Sequence, residues 1–146
     1  AAFEDCLVLD QLIEQRLSAN SSRSAIDWKD VFKAVEADRK PNANAIADLA
    51  LANYVEMRSQ VLSPQFHLQK KVAWMLEKRY PTRFIPRYSM VMFHSLPYLD
   101  AQELGEKQKV ILEKLTQDVD RLENVDMQLG ERLLQDYFVE VASRQN

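Results

Sequence analysis

The sequence is poor in punctuation. Its 146 residues include two glycines and five prolines. β-branched runs are short and helix formers dominate, which favours an all-α fold. A single cysteine, Cys6, excludes an internal disulfide and suits a reducing compartment. No run of ~20 apolar residues is present, so nothing is long enough to span a bilayer. A signal-peptide pattern is missing as well. There is no basic excess: Lys and Arg number 19 against 22 Asp and Glu, a formal charge of −3. Nucleic acid is therefore a poor partner. The chain has no glycine-rich phosphate loop, no GxGxxG and no HExxH. His67 and His94 stand far apart with no metal-spaced neighbours and read as surface or helix-end residues. Cys6 lies on an apolar helix face and reads as an inert buried thiol. Asp118, Asp120, Glu123 and Asp126 lack the glycine and spacing of a calcium loop and read as a solvated acidic helix face.

What the chain does have is apolar surface, 47% of residues in the length of one domain. The stretch from Asp48 to Arg58 organises it. Ile46, Leu49, Ala50, Asn53, Met57 and Val61 recur at helical spacing, and Leu51, Tyr54, Val55 and Leu62 form a second stripe. A helix apolar over most of its circumference is expected inside a bundle. Asn53 is the exception, an amide within an apolar face. If buried it needs a partner, or it costs ~1–3 kcal/mol.

Around that stretch the spacing predicts a bundle of about six to seven helices in a single domain, residues 1–146. The first runs over about 1–17. It starts at Ala1-Ala2-Phe3 with no capping side chain, which suggests a chain cut from something longer. Residues 18–24 read as a polar loop. A second helix is expected over 27–38, ended by Pro41. Asn42 or Asn44 then caps the organising helix, 43–62. Ser63-Pro64 restarts the chain as N-cap and first helical residue, with a helix to about Tyr80. Residues 84–93 are open between an extended segment and a short buried helix. Residues 95–97 read as a turn, followed by a long helix over 99–122. The last helix is expected over 125–143, after a break or cap at Asn124, and Gly130 inside it costs ~1 kcal/mol against alanine.

Met57, Met75, Met90 and Met92, with Phe84, Tyr88 and Phe93, are compatible with an apolar pocket but fit ordinary core better. Asn53 and Tyr88 would give such a pocket polar handles. On physical grounds alone the residues name no reaction.

An ordered set of segments goes further: Phe3-Glu4-Asp5-Cys6-Leu7-Val8-Leu9, Ala45-Ile46-Ala47-Asp48-Leu49-Ala50, Asn53-Tyr54-Val55-Glu56-Met57-Arg58, Phe84-Ile85-Pro86-Arg87-Tyr88-Ser89-Met90-Val91-Met92-Phe93 and Pro97-Tyr98. Together they resemble the C-terminal part of the kynurenine 3-monooxygenase family, over about residues 1–115. The FEDC motif is shared loosely with other class A flavoprotein hydroxylases; the NYxEMR and FIPxYxMVxF motifs are more specific. The resemblance implies an enzyme that uses FAD, NADPH and oxygen to hydroxylate L-kynurenine to 3-hydroxykynurenine. It implies no protein nucleophile, since the flavin carries the chemistry. It matches Asn53 and Tyr88 to positions that hydrogen-bond the substrate's amino-acid end, Met57 to a contact with its ring, and Met92 to the same wall. It implies that the dinucleotide-binding part precedes residue 1, so that this segment alone binds neither FAD nor NADPH and is inactive. The charged, amphipathic residues 118–146 resemble soluble, cytoplasmic microbial forms rather than a membrane anchor, and read either as a covering helix or as plain support. Another aromatic acid as substrate, or a non-catalytic helical interaction module, are the alternative readings. A face exposed by truncation would favour self-association.

Overall fold

The computed structural model describes residues 2–19, 26–94 and 96–144. Among them are six α-helices, one 3₁₀ turn and no strand, so the all-α expectation holds. The polar loop expected at 18–24 falls outside the described residues from residue 20 onward, as does residue 95 of the expected turn and the uncapped Ala1. The chain divides into two compact units, Ala1–Ala47 and Asp48–Asn146.

The first unit holds α1 (Ala2–Ala19) and the opening of α2 (Trp28–Ser59). Asp27 starts α2: its Oδ1 accepts the backbone N–H of Lys29 at 3.0 Å and of Asp30 at 3.4 Å. Arg39 donates through Nε to Asp5 at 2.6 Å and through Nη2 to Glu4 at 3.3 Å. The hydrogen bond to Asp5 raises the Arg39 pKa above its ordinary value. Arg16 pairs with Asp30 at 2.6 Å. A pairing of 5 with 39 and of 16 with 30 runs the two helices antiparallel. Cys6 is exposed rather than buried, and so are Phe3 and Leu7 beside it. An apolar stripe shows which face wants cover; it does not supply the cover.

The break expected at Pro41 does not occur. α2 continues through it for 32 residues. Proline removes the N–H that would reach the Ala37 carbonyl. Ala37 and Pro41 are both exposed, so water can take that carbonyl. Asn42 does not cap a new helix; its Nδ2 donates back to the Asp38 carbonyl at 3.2 Å.

The second unit is built around α5 (Tyr98–Thr116). Against it pack α3 (Pro64–Arg79), the short α4 (Arg87–Phe93) and α6 (Met127–Arg144). Leu68, Val72 and Leu76 come from α3, Met90 from α4, Ala101, Leu104, Ile111 and Leu115 from α5, and Leu134, Tyr137 and Val141 from α6. The sets on α3, α5 and α6 follow the i, i+3, i+4 rule of one buried helix face. Phe84 and Ile85, in the non-helical lead into α4, complete this core. Ser63 caps α3 as expected, accepting from the Phe66 N–H, with Pro64 at the first position.

Two ends differ from expectation. α5 stops at Thr116, not near 122. Thr116 is fully buried; its hydroxyl donates to the Leu112 carbonyl at 2.7 Å, and its own carbonyl accepts from the Gln65 side chain. The Val119 N–H also reaches that carbonyl, at 3.4 Å, which turns the chain out of the helix. Asp118 and Asp120 therefore lie exposed in the connection and Glu123 in its 3₁₀ turn, not on the face of a long helix. Asn124 closes a 3₁₀ turn rather than ending α5, and Asp126 caps α6: its Oδ1 accepts the N–H of Gln128 at 2.9 Å and of Leu129 at 3.0 Å.

Candidate functional site

The two motif stretches lie on α2 and α4. The latter settles the open question at 84–93: residues 84–86 are non-helical and 87–93 form a helix of two turns behind Pro86. A residue before proline is disfavoured in the helical region, which fits the non-helical lead. The helices are joined by a salt bridge, Arg87 Nη2 to Glu56 Oε2 at 3.1 Å. Glu56 also pairs with Lys70 of α3 at 2.6 Å, and Arg87 reaches Glu106 of α5 at 3.6 Å. The bridging side chains are 19% and 23% exposed, so water screens them less than a surface pair.

Close to the bridging residues in sequence are the four residues of interest. Asn53 and Met57 are one turn apart on α2, and Tyr88 and Met92 one turn apart on α4; each pair shares a helix face. All four are exposed, Met57 at 62%, Tyr88 at 64% and Met92 at 55%. The organising stretch is thus not a buried helix. Leu51, Tyr54 and Val55 are open as well, and Leu49 is the buried member. An exposed Asn53 amide meets water, so the argument from an unpaired buried amide lapses within this chain. The methionine-rich set divides. Met90 and Phe84 are core, while Met57, Met92, Tyr88 and Phe93 are surface. It lines no common enclosed pocket.

A cleft of about 590 Å³ opens beside the bridge, with Glu56, Lys70, Phe66, Gln69, Arg87 and Leu112 in its walls. Asn53, Met57, Tyr88 and Met92 are not in its lining. Deeper in, Gln108 of α5 is 4% exposed and donates through Nε2 to the Ile85 carbonyl at 2.7 Å and to the Tyr137 hydroxyl at 2.6 Å. One amide thereby ties the lead into α4 to α5 and α6. Burial pushes the Tyr137 phenol up to about 12. At the end of α6, Arg144 pairs with Asp100, with Glu103 at 2.6 Å and with Glu140 at 2.7 Å. Lys107 also donates to Glu140, and that hydrogen bond is the main reason its carboxyl sits below its ordinary pKa.

No protein-family model matches the sequence. Curated proteins do. A kynurenine 3-monooxygenase of Stenotrophomonas maltophilia is 43% identical over 125 residues, 86% of this chain and 26% of that protein. One of Myxococcus xanthus is 39% identical over 132 residues, 90% of this chain and 26% of its own length. One of Dictyostelium discoideum is 35% identical over 144 residues, 94% of this chain and 31% of its own length. The chain belongs to the kynurenine 3-monooxygenase family. It matches the C-terminal part of these proteins and spans only about a quarter to a third of their length.

Membership of the kynurenine 3-monooxygenase family implies FAD and NADPH in the whole enzyme. The residues present do not fit a dinucleotide. Among the described residues there is no strand, and both glycines, Gly105 and Gly130, lie inside helices rather than in a phosphate-cradling turn. The described residues contain no group of His, Cys, Asp and Glu able to hold a metal ion. His67 and His94 are exposed, as their isolation suggested. Among the described residues no helix is long and apolar enough to cross a membrane.

Sequence reasoning overlooked Glu56, Arg87 and Gln108. The first two were visible as opposite charges inside the two most specific motifs, and nothing in the periodicity marked them as partners.

Proposed function

We propose that this chain is the substrate-side helical region of a kynurenine 3-monooxygenase, an FAD- and NADPH-dependent enzyme that hydroxylates L-kynurenine to 3-hydroxykynurenine with oxygen. The observation that carries the reading is the identity of 33% to 43% with curated relatives of that name along most of the chain. The flavin, when bound, supplies the oxygen chemistry from parts of the enzyme outside these residues. What these residues do is bind and orient. Asn53 and Tyr88 hydrogen-bond the amino-acid end of the substrate, Met57 lies against its ring, and Met92 extends the same wall. Support comes from their placement: two i, i+4 pairs, each a polar group with a methionine, on the open sides of two helices joined by Glu56 and Arg87. A mostly apolar wall with few polar handles suits a small aromatic amino acid. On this reading the 146 residues alone turn over nothing, and the enzyme is of the soluble, cytoplasmic microbial kind.

The test uses the whole protein of the gene. NADPH oxidation and product are measured with L-kynurenine and with a panel of other aromatic acids. Stimulation by L-kynurenine with formation of 3-hydroxykynurenine is expected; an enzyme unmoved by L-kynurenine would refute the proposal. Asn53→Ala and Tyr88→Phe should each raise KM about 30- to 150-fold, the equivalent of ~2–3 kcal/mol for a lost hydrogen bond to a charged group.

A further inference from the structure

We propose that Glu56, Arg87 and Gly105 form a positioning latch that sets α4 against α2 and so fixes the spacing of Tyr88 and Met92 relative to Asn53 and Met57; the inference rests on the substrate-wall reading above. None of the three touches the substrate in this scheme. They act through their neighbours.

The geometry is specific. Glu56 is three residues after Asn53, so the two are neighbours on the helix surface, and it directly precedes Met57 in the chain. Arg87 directly precedes Tyr88. The 3.1 Å bridge between them thus ties the residue next to Met57 to the residue next to Tyr88. α4 has only seven residues and no side-chain cap at Pro86. A helix that short has little stability of its own and takes its position from what it is tied to. Met90 is its one fully buried anchor. Met90, with the partly buried Val91 and the core residues Phe84 and Ile85 before the helix, seats α4 on α5, and the bridge at Arg87 adds its tie to α2.

Gly105 explains how Arg87 gets there. A Cβ built on Gly105 would lie 2.4 Å from Arg87 Cδ, 2.7 Å from Cγ and 3.2 Å from Cβ. These are stem atoms close to the backbone of α4, so the side chain cannot simply swing its far end away. The Arg87 stem lies across α5 at the only kind of residue that leaves room, and its guanidinium emerges between Glu56 and Glu106. The planar fork of arginine can face two carboxylates from one place, which lysine's single ammonium cannot do with fixed geometry.

The test is a kinetic cycle in the full-length enzyme with L-kynurenine and NADPH. Glu56→Gln, Arg87→Ala and Gly105→Ala should each raise KM about tenfold, with a smaller change in kcat, as expected when binding groups are misplaced rather than removed. Arg87→Lys should recover part of the loss. Gly105→Ala should add little to Arg87→Ala, because of the stem it would displace only the Cβ, at 3.2 Å, is left. Arg79→Gln, which breaks an ion pair between α3 and α6, should leave KM unchanged. A merely structural latch would lower thermal stability and leave KM alone, and that result overturns the proposal. If Gly105→Ala does not fold, Glu56→Gln and Arg87→Lys, which keep size or charge, still decide it. Asn53→Ala and Tyr88→Phe run alongside. If these raise KM while Glu56→Gln and Arg87→Ala do not, the wall stands and the latch falls. If all four leave KM unchanged, the wall reading fails and takes the latch with it.

Discussion

Tyr137 should make this chain sensitive to alkali. It lies on α6 at 2% exposure, with its ring 6.0 Å from that of Phe84 and 6.1 Å from that of Phe138. Its hydroxyl accepts from Gln108 at 2.6 Å. Burial disfavours the phenolate and raises the pKa from the ordinary 10 to about 12; the donated hydrogen bond from Gln108 pulls the other way and is outweighed, and the charge of Glu140 adds to the rise. The folded value exceeds the unfolded one. The stabilisation from a neutral Tyr137 is therefore fully present below about pH 10 and is lost as pH rises toward 12. Two units correspond to about 3 kcal/mol, a large share of a small domain's stability.

The matching variant is Tyr137→Phe. At neutral pH it leaves one N–H of the buried Gln108 amide without its acceptor and should cost about 1–3 kcal/mol. Above pH 10 the wild type pays for an ionising buried phenol and the variant does not. Urea midpoints followed by circular dichroism, taken in parallel from pH 8 to pH 12, isolate this difference, because lysines and the other tyrosines titrate in both proteins. The gap should shrink through that range and close or reverse by its upper end. A gap that stays constant with pH refutes the reasoning, since it would mean that Tyr137 ionises in the folded chain as easily as in the unfolded one.

Two further outcomes concern helix chemistry. Gly130→Ala should stabilise the chain by up to ~1 kcal/mol, since its new Cβ would meet Leu115 at an ordinary 3.7 Å; a lower melting temperature would contradict it. Asp126→Ala should cost ~1 kcal/mol by removing the acceptor for the Gln128 and Leu129 N–H groups, and Asp126→Asn should cost much less, both read from urea midpoints.

The fold was legible where periodicity and punctuation agreed. The α3 start at Ser63-Pro64, the buried stripe Leu68, Val72 and Leu76, and the face of α5 through Leu104, Ile111 and Leu115 all follow from spacing. The failures share a cause. Pro41 looked like a stop because its local cost is real, but its orphaned carbonyl lies at the surface, where water meets that cost. The end of α5 was set by Gln65, a side chain 51 residues away, holding the Thr116 carbonyl. No local pattern carries that information. Tertiary hydrogen bonds to the backbone decide such ends, and they follow from the fold they help to define.

The candidate site was harder for the opposite reason. An apolar stripe on α2 was visible, and burial was inferred from it. Yet Leu51, Tyr54, Val55 and Met57 are exposed in the described structure. Apolar surface left open across neighbouring turns is informative, whereas single exposed apolar residues are not. On α2 and α4 it accompanies Asn53 and Tyr88, polar groups able to hold the charged end of a ligand. Meanwhile the charged residues of the same motifs, Glu56 and Arg87, are the ones partly withdrawn from water and paired. On these faces several apolar side chains lie out and one pair of opposite charges lies partly in, while Phe84, Ile85 and Met90 of the same motifs are core. The arrangement is intelligible if the charges hold the two helices in place and the apolar groups are kept open for contact. The chain spans only about a quarter to a third of its relatives' length, so open apolar groups can equally pack on the rest of the protein; it is the proposed function that assigns Asn53, Met57, Tyr88 and Met92 among them to substrate.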